Sequence, residues 1–179
     1  MPNVLVLSFE GFSFSARQLH PHLLPKLLSR SIVHESLTIK DALNYIDSGW
    51  PSIVLVSDPV ITAYTEESRK LLSAVTEFTK RGGTTVLMSL FATAVEIDKL
   101  DYMFKRYFGL RWRAAWRTGE STRYETRLMP IDQCMIRTES LVPVFYAAAV
   151  YLRQVPAAQT VYAVSRAYPK CKPTLSCGT

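Results

Sequence analysis

Histidine is scarce and early in this sequence: His20, His22 and His34 are the only three, and none follows Ser89. A serine hydroxyl is a poor nucleophile at neutral pH without a positioned base, so this distribution counts against hydrolase chemistry. Cysteine is as sparse. Cys134, Cys171 and Cys177 are odd in number and have no CxxC spacing, which argues against both a disulfide framework and a zinc site. A reducing interior is the simplest compartment for them. No block of five or six like charges occurs, so the net charge of +6 is spread along the chain and invites acidic partners only weakly. Long apolar runs are missing too. Val4 to Leu7 follows Pro2 and Asn3 directly, without a basic leader, and is far too short for a signal or membrane segment. These absences leave a cytoplasmic reading with no membrane partner, no metal and no cofactor.

What is present is a globular balance. The 179 residues, 48% hydrophobic and 20% charged, are enough for one domain with a substantial core. Residues 1–165 read as a single α/β domain. Residues 166–179, with Pro169, Pro173, two cysteines and no apolar period, read as a poorly ordered tail.

The chain is organised around Ser52 to Val95. SIVLVSDP reads as a buried strand ending in a turn, TEESRKLLSAVTEFTKR as an amphipathic helix capped by Thr65 and stopped by Gly82-Gly83, and TTVLMS as a second buried strand. Both strands are near-continuous apolar runs, the pattern of parallel strands covered on both faces. Upstream, Val4 to Leu7 is a third such strand, and SIVHESL a weaker one. A helix in SARQLHPHLLPKLLSR is broken or delayed by Pro21 and Pro25. Thr38 caps the next helix, with Asp41 in its first turn and Gly49 as its stop. Downstream, Ile97, Leu100, Met103, Phe104, Tyr107 and Phe108 form the apolar stripe of a covering helix that ends at Gly109. LRWRAAWRTGESTRYETRL then reads as strand or extended loop. The apolar runs Val142 to Leu152 and Thr160 to Val164 read as strands, or as a helix and a strand.

In a doubly wound parallel sheet, ligands sit outside the carboxyl ends of the strands. Three turns qualify: Phe9-Glu10-Gly11-Phe12, Asp58-Pro59 and Ser89-Leu90-Phe91. Ser89, on a strand-to-helix turn, could expose its hydroxyl beside backbone N–H donors. Met88 and Leu90 stand where an elbow has glycines, so a packing or capping serine is the plainer reading. Glu10 is the carboxylate partner, raised in pKa if desolvated at the strand ends; a solvated loop glutamate is its plainer reading. Gly11, Asp58 and Phe91 complete a candidate binding set for a small polar ligand. Arg111, Arg113, Arg117, Arg123 and Arg127 with Trp112 and Trp116 have the chemistry to hold phosphates and stack bases. Glu120 and Glu125 dilute that field, so a subdomain or self-association surface is favoured over nucleic acid.

SIVLVSDPVIT, the helix after it, KRGGTTVLMSLFATAV and FKRYFGLRW together resemble the class I glutamine amidotransferase-like superfamily. The resemblance is greatest to its divergent fungal members of unknown role and more distant to the ThuA-like and DJ-1/PfpI groups. It covers roughly the first two thirds of the chain and is architectural. It implies a flavodoxin-like three-layer sandwich with a mostly parallel central sheet and a functional elbow after the fourth strand. Set against the DJ-1 elbow pattern, Ser89 takes the cysteine position and Phe91 a glycine position. The late histidine and glutamate of the amidotransferase triad have no counterpart, so glutaminase activity is expected to be absent. Glu10 resembles the DJ-1-group glutamate that contacts the elbow thiol, but with a serine opposite it the redox role does not carry over. The relatives continue past a VYAV-like strand into a further strand and helix where this chain has AYPKCKPTLSCGT, so a shortened or altered C-terminal part is implied.

The leading expectation is a triad-less amidotransferase-like binding or interaction module. It would form a homodimer, because Trp112, Trp116, Tyr146 and Tyr151 fall outside the clear core elements. The alternative is a small-molecule hydrolase or isomerase using Ser89 and Glu10. The two differ at the strand ends, where an enzyme needs a hollow and a binding module can have the space filled by Phe9, Phe12 and Phe91.

Overall fold

The computed structural model describes residues 1–9, 21–117, 124–129, 141–147 and 150–164. Four short strands, β1 (Asn3–Leu7), β2 (Ile32–Ser36), β3 (Ile53–Val56) and β4 (Thr84–Leu87), pair in parallel in the order β2-β1-β3-β4. Between them lie α1 (Leu23–Leu28), α2 (Ile39–Asp47) and α3 (Glu66–Lys80). The chain is thus mixed α/β around an all-parallel sheet, as its apolar runs predicted. Helix α1 is short and begins beyond Pro21, the delay that the prolines implied.

Alternation along the strands divides the core in two. Leu5, Leu7, Val54 and Val56 point to one face, where they meet Ala42 of α2 and Leu71, Leu72 and Val75 of α3, all buried. The other face holds a much smaller cluster of Val4, Val6 and Leu55, packed against Leu27 of α1. The helix ends follow their chemistry. Thr38 Oγ1 accepts from Asp41 N at 3.2 Å and Thr65 Oγ1 from Ser68 N at 3.1 Å, each satisfying an otherwise orphaned N–H. Gly82, just beyond α3, takes φ 98°, which a β-carbon would oppose.

Gly83 is crowded for a different reason. A β-carbon there would lie 2.3 Å from the Phe78 ring, which packs against the larger core cluster. Overpacking costs about 1–3 kcal/mol, more than the roughly 0.4–1 kcal/mol that Gly→Ala gains by restricting the unfolded chain. Gly83→Ala is therefore expected to lower the urea midpoint with an unchanged slope. An unchanged midpoint would mean that the Phe78 ring swings aside freely.

One expectation about the central unit needs correction. β4 was read as covered on both faces, yet Thr84 is exposed and Val86 is 41% exposed. The reason is position: among the described residues β4 is the last strand of its sheet, and on the Val86 side the one described helix, α1, packs beside β2 at the opposite edge.

Beyond β4 come α4 (Ser89–Ala94) and α5 (Ile97–Met103), the latter widening into a π-turn over Phe104–Phe108 that ends at Gly109, φ 67°. Leu100, Met103 and Phe104 of the predicted stripe are buried in the larger cluster. The following strands are antiparallel: β5 (Arg113–Arg117) pairs with β8 (Val150–Arg153), and β6 (Tyr124–Leu128) lies between β7 (Val144–Ala147) and β9 (Tyr162–Val164). The runs left open between helix and strand are strands. Asp101 of α5 ties this part to the rest. Its Oδ1 accepts from Ala114 N at 2.7 Å and its Oδ2 from Arg113 Nη1 at 3.2 Å, while the Trp112 ring meets Phe104 edge-on at 5.5 Å. The segment read as a tail, 166–179, lies outside the described residues.

Candidate functional site

The strand order runs from β1 to β2 on one side and from β1 to β3 on the other, so it reverses between β1 and β3. The crevice outside the carboxyl ends of those two strands is where open α/β sheets place ligands. Ser57 and Asp58 follow β3 there. Ser57 donates to Leu7 O through both its backbone N, at 3.4 Å, and its hydroxyl, at 2.5 Å. This fastens the exit of β3 to the exit of β1.

Asp58 is the carboxylate that the described residues bring to the crevice, and it is 2% exposed. Its Oδ1 accepts from Val60 N at 2.8 Å, an Asx turn that starts the 3₁₀ turn Pro59–Thr62. The carboxylate also accepts from Phe9 N, on the exit of β1. Desolvation raises the Asp58 pKa above the ordinary 3.8, outweighing the two backbone hydrogen bonds that favour the charged form. Both of these hydrogen bonds come from the protein's own backbone, so among the described residues the carboxylate acts as a structural acceptor bridging two strand exits.

The other candidates fall differently. Phe9 is 8% exposed and Phe91 is 1% exposed, and both belong to the larger core cluster. Met88 N donates to Val56 O at 2.9 Å, which seats the start of α4, and with it the Ser89 backbone, against the end of β3. Glu10, Gly11 and Phe12 lie outside the described residues, as does the side chain of Ser89. The structure therefore brings Asp58 and Phe9 together and sends Phe91 into the core.

A second polar cluster, around His34, was not singled out from the sequence. From the middle of β2, His34 Nε2 lies 2.9 Å from Asp41 Oδ2, and Ser36 Oγ, at the strand's end, donates to the same oxygen at 2.6 Å. The imidazole also stacks on Tyr45 at 4.2 Å. The three residue types are those of a hydrolase triad, but the wiring differs. Both the hydroxyl and the imidazole bind the carboxylate, nothing passes from serine to histidine, and Ser36 is fully buried. The Ser36 hydrogen bond, with His34 adding to it against partial desolvation, lowers the Asp41 pKa. The cluster docks the first turn of α2 on β2. Alternation in IVHES, with Asp41 in the first turn of the next helix, is the signal that could have found it.

Two open hollows lie elsewhere. One of about 790 Å³ sits at the amino ends of β3 and β4, lined by Ser52, Gly83, Phe78, Glu77, Arg81 and Lys70, the last paired with Glu66 at 2.7 Å. Another of about 560 Å³ lies between the antiparallel sheets, lined by Trp112, Phe145, Tyr151 and Tyr162 among others. Within the arginine and tryptophan cluster, Arg113 pairs with Asp101, Arg127 with Glu125, and Trp112 packs on the core, while Arg123 and the side chains of Trp116 and Arg117 lie outside the described residues. Among the described residues no group of His, Cys, Asp and Glu could hold a metal ion, and no helix is long and apolar enough to cross a membrane.

Comparison with protein-family models, with curated proteins and with solved structures finds no match to this chain.

Proposed function

We propose that this chain is a triad-less amidotransferase-like binding or interaction module on a flavodoxin-like sheet. The observation that carries the reading is how the crevice between β1 and β3 is used. Its carboxylate, Asp58, is buried and accepts from the backbone N–H groups of Val60 and Phe9, and the Phe9 and Phe91 rings lie in the core. A catalytic acid or base must reach a substrate proton, and Asp58 faces its own chain. The strand order β2-β1-β3-β4, with the reversal between β1 and β3, supports the flavodoxin-like part of the reading. The His34 cluster lacks the serine-to-histidine hydrogen bond of a hydrolase triad, because the buried Ser36 donates to Asp41.

The purified chain and its Ser89→Ala variant, assayed for ammonia release from glutamine and for hydrolysis of small esters and amides, are expected to give the same background rate. Turnover that falls on Ser89→Ala would instead establish the hydrolase reading.

A further inference from the structure

β4 closes the parallel sheet on one side, and among the described residues no strand lies beyond it. Its backbone polarity follows from its pairing with β3. Thr84 N donates to Ser52 O at 3.1 Å and Met88 N to Val56 O at 2.9 Å, so residues 84, 86 and 88 turn their N–H and C=O groups inward. Alternation turns those of Thr85 and Leu87 outward. Protected edges carry lysine, proline, a bulge or an inward charge. This one carries none of them: Gly82 to Val95 contains no charged residue and no proline, and the register from Ile53↔Thr84 to Val56↔Leu87 is unbroken.

We propose that β4 is a self-association edge, on which two copies of this chain pair antiparallel about a two-fold axis through Val86. The outward groups of Thr85 and Leu87 flank Val86 symmetrically, so a second copy can satisfy all of them about one two-fold axis. Thr85 of each copy exchanges both backbone hydrogen bonds with Leu87 of the other, giving four bonds and one continuous eight-stranded sheet. Val86 then faces its own counterpart in a non-hydrogen-bonded pair, where the α-carbons lie about 4.5 Å apart. Val86 is 41% exposed and shares its face with Leu55, so the contact extends the smaller apolar cluster across the axis. The absence of charge over Gly82 to Val95 removes like-charge repulsion, which an isologous contact always doubles. A four-residue strand pair buries less than the roughly 800 Å² per partner of a standard interface, so a dissociation constant on the order of micromolar is expected.

The proposal rests on the reading of the chain as an interaction module but fails separately from it. Ser89-dependent turnover would end the module reading and leave the edge pairing untouched. The test is sedimentation equilibrium of the full chain across the micromolar range, beside Val86→Lys and beside Val86→Cys in a Cys134→Ser, Cys171→Ser, Cys177→Ser background. The wild type is expected to dimerise. Val86→Lys is expected to be monomeric, because it places two cations on the axis, and folded, melting as the wild type does at concentrations below the dimer dissociation constant. Val86→Cys is expected to oxidise to a covalent dimer, since a non-hydrogen-bonded antiparallel pair brings the β-carbons within disulfide reach. A wild type that stays monomeric, a dimer that survives Val86→Lys, or failure of Val86→Cys to crosslink overturns the proposal. Should Val86→Lys not fold, the crosslink decides alone.

Discussion

Phe91→Ala is expected to cost about 3–5 kcal/mol, the range for truncating a fully buried aromatic side chain. At about 2–4 °C per kcal/mol for a chain of this size, the melting temperature falls by about 6–20 °C. The size of the effect follows from what the ring holds in place. Helix α4 has six residues and no side-chain cap, and an isolated helix shorter than about 12 residues is marginal in water. Its hydrogen bonds, Ala92 N to Met88 O at 3.0 Å and Val95 N to Phe91 O at 2.9 Å, give it little independent stability. Phe91, 1% exposed among Val95 and its other neighbours in the larger cluster, is what anchors it. Losing the ring therefore frees the start of α4, which carries the Ser89 turn. Phe91→Leu, which refills most of the volume, is expected to recover most of the loss. A ligand-contacting ring would behave in the opposite way, with stability preserved on Phe91→Ala. A melting temperature within a degree or two of wild type would return Phe91 to the ligand-binding set.

The parallel sheet was legible because each of its signals is local. Thr38, Thr65, Gly49 and Gly82-Gly83 mark helix ends by capping chemistry, and the runs Val4–Leu7 and Ile53–Val56 are apolar because both sides of the strand are covered. The exposure of Val86 was not legible, since an apolar edge strand and an apolar central strand have the same composition; only pairing separates them. The antiparallel part was half legible for a related reason. Val142 to Leu152 has no period that distinguishes strand from helix, and the pairings that settle it, β7 with β6 and β8 with β5, are set by the fold. At the candidate site, sequence reasoning placed Asp58 correctly at the end of β3. It assigned the carboxylate to a ligand because nothing in Asp58-Pro59 shows that Val60 N and Phe9 N will occupy it. His34 was missed as a structural partner of Asp41 because the two are seven residues apart on different elements.

Asp58 carries the second large effect, and one with a pH signature. Asp58→Ala leaves the N–H groups of Val60 and Phe9 without their acceptor at a site that is 2% exposed. An unsatisfied buried polar group costs about 1–3 kcal/mol, so the loss is expected to be about 1–3 kcal/mol and to loosen the joint between the exits of β1 and β3. Asp58→Asn keeps an amide oxygen for Val60 N and is expected to lose much less. The sign of the pH dependence follows from linkage. Burial raises the folded-state pKa above the unfolded value of 3.8, so the folded state binds more protons at this group between the two values. The stability that the neutral form contributes is thus fully present below 3.8 and is lost as pH rises through the folded pKa, after which it changes no further. Asparagine cannot titrate, and the other titrating groups are common to both proteins. The difference in unfolding free energy, wild type minus Asp58→Asn, should therefore fall as pH rises from the unfolded pKa and level off above the folded one. Urea titrations of the two proteins across that range measure it, and a difference that rises with pH would mean that the carboxylate is stabilised in its charged form and that the crevice is wetter than its burial indicates.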